Sequence, residues 1–372
     1  MTDSAITTPS AGRSLWADAR ARMLRNKAAM VSLVYLCLMA LACIIGPFVV
    51  PNDFTTINAD YTRVPPSLSP YPKADTVETA LKEALKRARL DIATWKQEGG
   101  KLEVVVTATK PIDGRSTRYL DRSDVFENAA VTSTSADGLS MTMTADVEQR
   151  YFYFGTDSNG RDLLQRTLIA GRVSLAIGLL AGLVAVVIGV LYGAFSGLIG
   201  GKTDEVMMRI VDILYALPFI FFVIMLVVFF GRNFVLMFLA VGAVLWLDMA
   251  RIVRGQALSL RRQEYVQAAE ALGVTKSGIL LRHIVPNLLG PVVIYMTLLV
   301  PQVIILESFL SYLGLGVQEP LSSWGVLIAQ GSKSIPGAKW LLVFPSFFLT
   351  TTLFALNCIS DGLRDALDPK DR

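Results

Sequence analysis

The sequence predicts an all-α polytopic membrane protein of about six transmembrane helices, interrupted after the first by a small α+β insert. Three observations carry this reading. Hydrophobic residues make up 53% of the 372 and charged residues only 18%, against about 45–50% and about 25% in soluble domains. Mean hydropathy is +0.49. The apolar residues also fall in long blocks, close to the roughly 20 residues that a helix crossing a bilayer needs.

Taken in order, residues 1–27 form a polar, basic tail and 28–50 the first span. That span is too long for a signal peptide and lacks a small-residue cleavage pattern, so it reads as a retained anchor. Residues 51–172 break the series. Pro51, Pro65, Pro66, Pro70 and Pro72 make their beginning extended. Residues 76–98 read as an amphipathic helix, with Val77, Leu81, Leu85, Ala88 and Ile92 near helical spacing. Leu102–Thr109 alternates and is valine-rich, as a strand should be. Val131–Thr134 and Leu139–Val147 flank the Asp137-Gly138 turn as a second strand pair. Five further spans follow, at 173–199, 208–230, 234–252, 288–312 and 341–360, within a core over 173–360 that contains a polar loop at 253–287. Residues 361–372 are a second polar tail.

Lysine and arginine accumulate on the cytoplasmic side of short membrane loops. Arg13, Arg20, Arg22, Arg25 and Lys27 lie before the first span, and Lys202 and Arg209 after the second. The 251–287 segment holds Arg251, Arg254, Arg261, Arg262, Lys276 and Arg282, and the last tail Arg364, Lys370 and Arg372. The opposite short loops offer only Arg232, Lys333 and Lys339. Both termini and the 251–287 loop are therefore expected in the cytoplasm, with 51–172 outside. The net charge of +4 sits beside apolar spans and gives no reason to expect nucleic acid. Cys37, Cys43 and Cys358 all fall in spans, so no disulfide framework is expected in the insert. His283 is the only histidine, which argues against a histidine metal site or triad. No catalytic cluster is visible.

Several residues invite a functional and a plain reading. Ser196–Thr203 nearly spells a phosphate-binding loop, but Ser196 replaces its first glycine and a membrane helix precedes it where a strand is required. Gly189, Gly193 and Gly197 repeat at four-residue spacing, which allows close helix packing in a bilayer. Glu307, inside an apolar span, must face a partner or a wet cavity, in a pathway or in packing. Asp248 lies one turn from Arg251 and is expected to pair with it. Pro218 and Pro301 can bend their spans, as a gate requires and as inert bundles also tolerate. Thr156 or Asp157 can cap a helix beginning near Ser158, with Asp162 in its first turn.

The most informative stretch is 264–287, EYVQAAEALGVTKSGILLRHIVPN. Good helix formers run from Glu264 to Leu272, Gly273 suits the left-handed residue after a helix end, and Thr275 can cap a second short helix. Pro286 marks the start of the next span. By itself this is an amphipathic connector at a membrane surface. Its pattern resembles the EAA loop of the permease subunits of bacterial ABC importers. Gln267-Ala268-Ala269 stands for the opening triplet, Gly273 for the glycine and Pro286 for the proline; Gln267, His283 and Val285 depart from the usual Glu, Ile and Leu. Phe154–Asp162 with Gly171–Leu175, Ser311–Gly316 and Asp361–Pro369 are similar to segments of the C-type permeases of dipeptide and oligopeptide importers. An insert at about 70–150 is longer than that resemblance leads one to expect.

The resemblance implies a type I ABC importer-like permease in a bacterial inner membrane. It implies a second permease subunit, two cytoplasmic ATPase subunits that hold the ATP and Mg, and an extracytoplasmic substrate-binding protein, with no cofactor, metal or catalysis in this chain. Tyr265, Gln267, Ala268, Ala269, Gly273 and Pro286 would couple the loop to the ATPase, with the small residues admitting a partner's groove. A secondary transporter or channel without an ATPase would account for the spans, Glu307 and the prolines, but not for the loop. A membrane-anchored sensor would use the insert but leaves five spans unexplained.

Overall fold

The computed structural model describes residues 15–50, 52–231 and 234–367. Arg13, Pro51, Arg232, Asp368, Pro369, Lys370 and Arg372, which entered the sequence reading, lie outside them. The chain forms two compact units: one of residues 1–45, 170–329 and 345–372, the other of residues 46–169 and 330–344.

The regular structure of the first unit's described residues is helix, and several of its helices extend into the second unit. Helix α1 (Leu15–Arg25) precedes α2 (Lys27–Val49); α3 and the strands belong to the other unit. Then come α4 (Leu163–Ile199), α5 (Gly201–Ala216), α6 (Phe219–Phe230), α7 (Phe234–Arg261), α8 (Glu264–Ala271), α9 (Lys276–Ile279), α10 (Val285–Tyr312), α11 (Trp324–Ser332) and α12 (Trp340–Leu367). A π turn over Leu280–Ile284 joins α9 to α10. Among the described residues, four helices are long and apolar enough to cross a membrane: Lys27–Val49, Leu163–Ile199, the continuous Lys276–Tyr312 and Trp340–Leu367. At about 1.5 Å per residue α4 reaches about 55 Å, well beyond a bilayer core of about 30 Å.

The other two expected spans fall on α5, α6 and α7. The 208–230 segment is not one helix. Leu217 sits extended at φ −73°, ψ 133° between α5 and α6, the conformation that the ring of Pro218 favours for the residue before it. The 234–252 segment opens α7, which continues as helix to Arg261. By contrast, α10 runs through both Pro291 and Pro301. The apolar core of this unit includes one cluster of Val173, Ile177, Ala181, Val223, Val241, Val303 and Leu310, and a second that joins α4, α7, α8 and α10.

In the second unit, helix α3 (Ala74–Ala88) covers an antiparallel sheet of β1 (Asp91–Glu98), β2 (Lys101–Thr107), β3 (Phe126–Thr134) and β4 (Ser140–Val147), in the order β1-β2-β4-β3. Burial alternates along β4, with Met141, Met143, Ala145 and Val147 inward. These residues meet Val77, Leu81 and Leu85 of α3 and Leu102, Val104 and Val106 of β2. The helix expected over 76–98 therefore ends ten residues early. Arg89 turns left-handed at φ 58°, and the N–H groups of Arg89 and Leu90 bond back to Lys86 and Leu85. This is a Schellman ending built on arginine where the sequence offered no glycine to announce it.

Candidate functional site

Residues 264–284 form two short helices joined by a tight turn. The N–H of Gly273 bonds the carbonyl of Glu270 at 3.0 Å and that of Val274 the carbonyl of Ala269 at 3.1 Å. This is the Schellman pair that closes α8. Gly273 has φ +77°, and a Cβ added there would meet nothing within 4 Å, so the turn needs glycine for its backbone and not for space. Thr275 Oγ1 then accepts from Gly278 N at 3.2 Å and caps α9. Pro286 stands just past the π turn, at the second position of α10.

The element has two faces. Val266 and Ala269, three residues apart, point inward and share a buried cluster with Leu198 of α4, Val253 and Ala257 of α7, and Ile284 and Leu288. Tyr265, Gln267, Ala268, Glu270, Leu272 and Gly273 are exposed, Leu272 by 84%. Of the residues expected to present a small-residue surface, Ala269 is therefore turned the wrong way: it is packing. Gln267 Nε2 reaches only the carbonyl of Arg262, at 3.4 Å. His283, where the resembling pattern has isoleucine, lies with its ring 6.3 Å from that of Tyr265. Beside the turn, Val274, Gly278, Leu281, Arg282, His283 and Pro286 line an open depression of about 620 Å³. The sequence pointed to the alanines and the glycine but passed over Leu272. An apolar residue at the very end of an amphipathic helix was the available signal.

The inward face rests on helices that are themselves tightly joined. A Cβ on Gly189 would meet Met249, one on Gly193 the carbonyl of Ala250, and one on Gly197 both Ala257 and the carbonyl of Arg254. All three glycines therefore face α7. The phosphate-loop lookalike is the α4–α5 corner. Ser196 Oγ donates to Asp204 Oδ1 at 2.5 Å, and Arg254 Nε and Nη2 bond Asp204 at 2.6 and 2.5 Å. These bonds from Arg254 hold the Asp204 carboxyl below its ordinary range. The sequence reading missed this α5–α7 clasp because its partners are 50 residues apart. Arg251 pairs with Asp212 at 2.8 Å and stacks over Tyr215; its reach across to α5 replaces the expected bridge to Asp248.

Glu307 is fully buried. Its Oε1 accepts from Ser311 Oγ and Ser323 Oγ, each at 2.6 Å, while Oε2 has no hydrogen-bond partner. Ser174 Oγ accepts from Trp324 N at 3.1 Å. The carboxyl thus ties α10 to the start of α11, and the adjoining serine of α4 holds the same segment. Pro301 is buried on α10 and Pro218 exposed at the α5–α6 break.

In the second unit, the Phe154–Asp162 motif does not begin a helix at Ser158. Asp157 Oδ1 accepts from the N–H groups of Asn159 and Arg161 at 2.8 and 2.9 Å. Its Oδ2 accepts from Arg161 Nε at 2.8 Å and Arg166 Nη1 at 2.5 Å. Turning inward to two buried arginines, Asp157 folds a compact turn, and the cap falls to Asp162, whose Oδ1 accepts from Gln165 N at 3.0 Å. Burial pushes the Asp162 carboxyl up, against the bonds from Gln165 and Asn52.

A helical membrane unit that carries an exposed helix pair, packed from behind on α4, α7 and α10, has the form of a membrane permease. Sequence comparison agrees: residues 165–372 match the family of the binding-protein-dependent transport system inner membrane component, and residues 14–73 that of the N-terminal TM domain of oligopeptide transport permease C. The chain belongs to the family of binding-protein-dependent transport system inner membrane components. It is a permease component, and ATP hydrolysis lies with separate ATPase subunits. It is similar to the oligopeptide transport system permease protein OppC of Escherichia coli K12, 46% identical over 97% of this chain and 93% of that protein. It is also similar to the dipeptide transport system permease protein DppC of Lactococcus lactis, 30% identical over 96% and 91%. The Bacillus subtilis OppC is 46% identical over 59% of this chain and 72% of its own length.

Proposed function

We propose that this chain is one of two permease subunits of an ATP-driven importer of peptides, and that α8 is the handle by which a cytoplasmic ATPase moves the spans. The names of the relatives support peptides as cargo. The Lys/Arg asymmetry supports six crossings with both termini and the 251–287 loop in the cytoplasm and the sheet-bearing insert outside. A second permease would share the pathway, two ATPase subunits would bind ATP and Mg, and a soluble binding protein would deliver substrate.

The observation that carries the reading is the two-faced α8. Its outer face offers Tyr265, Gln267, Ala268 and Leu272 to a partner, while Val266 and Ala269 are embedded among α4, α7 and α10. A push on the outer face is therefore delivered to three long helices at once. Closure of an ATPase dimer would displace α8 and rock the spans open outward, and hydrolysis would reset them. Leu272→Asp tests this without touching the core. The ATPase subunits should no longer co-purify with the permease pair, and uptake should fall at least tenfold, while the variant stays in the membrane at normal level. Normal ATPase association and uptake would remove α8 as the handle and reopen the channel or secondary-transporter reading.

A further inference from the structure

The insert carries a cleft that its composition does not announce. Residues 73–150 hold twelve basic and thirteen acidic side chains, close to neutral. Yet a cleft of about 640 Å³ between the end of α3, the segment after β2 and the following 3₁₀ turn is lined by Arg89, Lys110, Arg115, Arg118 and Arg122, with Asp113 its only acid. Arg115 and Arg118 stand three residues apart in the 3₁₀ turn Gly114–Tyr119, and so share a face. Arg122 lies 5.8 Å from the centre of the Tyr119 ring. Arg89, left-handed at the end of α3, joins them in the lining.

All five cations are exposed, and none has an ion pair among the described residues. The neighbouring acids are committed elsewhere. Asp113 accepts from Arg115 N at 2.9 Å, Asp121 from Ala129 N at 2.8 Å, and Asp124 from Asp60 N at 3.2 Å. Like charges brought together without counter-ions repel one another, and an arriving anionic group relieves that repulsion. Four of the five are arginines, whose planar fork matches a carboxylate with two parallel hydrogen bonds.

We propose that this cleft is a docking site for acidic side chains on the extracytoplasmic binding protein. The inference rests on the proposed orientation, which puts the insert outside, and on the family's dependence on a binding protein. Charge-led contact suits that partner: it speeds encounter and fixes register while leaving the complex easy to separate, as repeated delivery and departure require.

The test uses the intact transporter complex in nanodiscs and the binding protein encoded with it. Arg115→Glu, Arg118→Glu and Arg122→Glu are combined, and Lys96→Glu with Lys101→Glu serves as a control of similar exposure away from the cleft. The triple variant should weaken binding at least tenfold at low salt and flatten its salt dependence; the control should change it less than twofold. Neutral Gln replacements should fall between. Unchanged affinity in the triple variant overturns the proposal, and so does loss of binding to vesicles of anionic phospholipid with binding-protein affinity intact. Lys110→Cys in intact cells separates the two levels. Labelling by an impermeant thiol reagent from outside together with unchanged affinity sinks the cleft alone; labelling only after permeabilisation sinks the orientation and the cleft with it.

Discussion

The two units end their helices with one hydrogen-bond pattern and two different residues. In the membrane unit, α8 closes on Gly273 at φ +77°; in the sheet-bearing unit, α3 closes on Arg89 at φ 58°. The glycine turn carries no side chain, so what it offers is shape. The arginine turn accepts a backbone that L-residues rarely adopt and delivers a cation to the rim of the basic cleft. The units also bury carboxylates differently. Asp157 meets two arginines and two backbone N–H groups, whereas Glu307 meets only hydroxyls and leaves one oxygen unmatched. In the sheet-bearing unit the buried carboxylate is matched by charge. In the membrane unit charge is matched at the α4–α5 corner, where Asp204 meets Arg254, while deeper in α10 Glu307 is held by hydroxyls alone.

Breaking the charged clasp should have the largest effect. Asp157→Ala would leave Arg161 and Arg166 buried without their shared partner, a loss of about 3–5 kcal/mol for a broken buried pair. Thermal unfolding of the purified permease should show it, and Asp157→Asn should recover only part. A shift no larger than that of a surface substitution would mean the clasp is not structural.

The Glu307 node should be more forgiving. Glu307→Gln keeps an oxygen for Ser311 and Ser323 and should stay near wild type in stability. Glu307→Leu loses two hydrogen bonds, each worth about 0.5–1.5 kcal/mol, and leaves the Ser311 and Ser323 hydroxyls only their 3.4 Å contact with each other and the bond Ser323 accepts from Val326 N. If Glu307→Gln instead abolished uptake with stability unchanged, the carboxyl would act in the pathway and not only as a tie between α10 and α11.

The two turns give the finest comparison. Gly273→Val forces a β-branched residue to positive φ, with strain of about 1–3 kcal/mol. Since nothing crowds the position, the variant should still insert but lose substrate-stimulated ATP hydrolysis and uptake. Arg89→Gly relieves strain in the opposite sense, so the midpoint of unfolding should hold or rise slightly while binding-protein affinity falls. Equal effects of the two substitutions on stability and transport would erase the distinction between a turn kept for shape and one kept for its side chain.

Residue order alone determined what depends on near neighbours. Apolar block length marked the membrane helices, alternation marked β2 and β4, and Gly273 with Thr275 marked a helix, a turn and a second helix, because each signal lies within one turn or strand. Local chemistry failed where another local partner won. The α3 helix stops at an arginine, Asp157 bends inward to two arginines where a cap was expected, and Pro218 splits a span that hydropathy drew as one. Only the tertiary structure decided which residues face each other across many positions: Asp204 with Arg254, Glu307 with Ser323, Ala269 inward and Leu272 outward, and five cations from three segments around one cleft. Pairing at such distances is set by how helices and strands pack, and packing is a property of the folded chain that no short window of sequence contains.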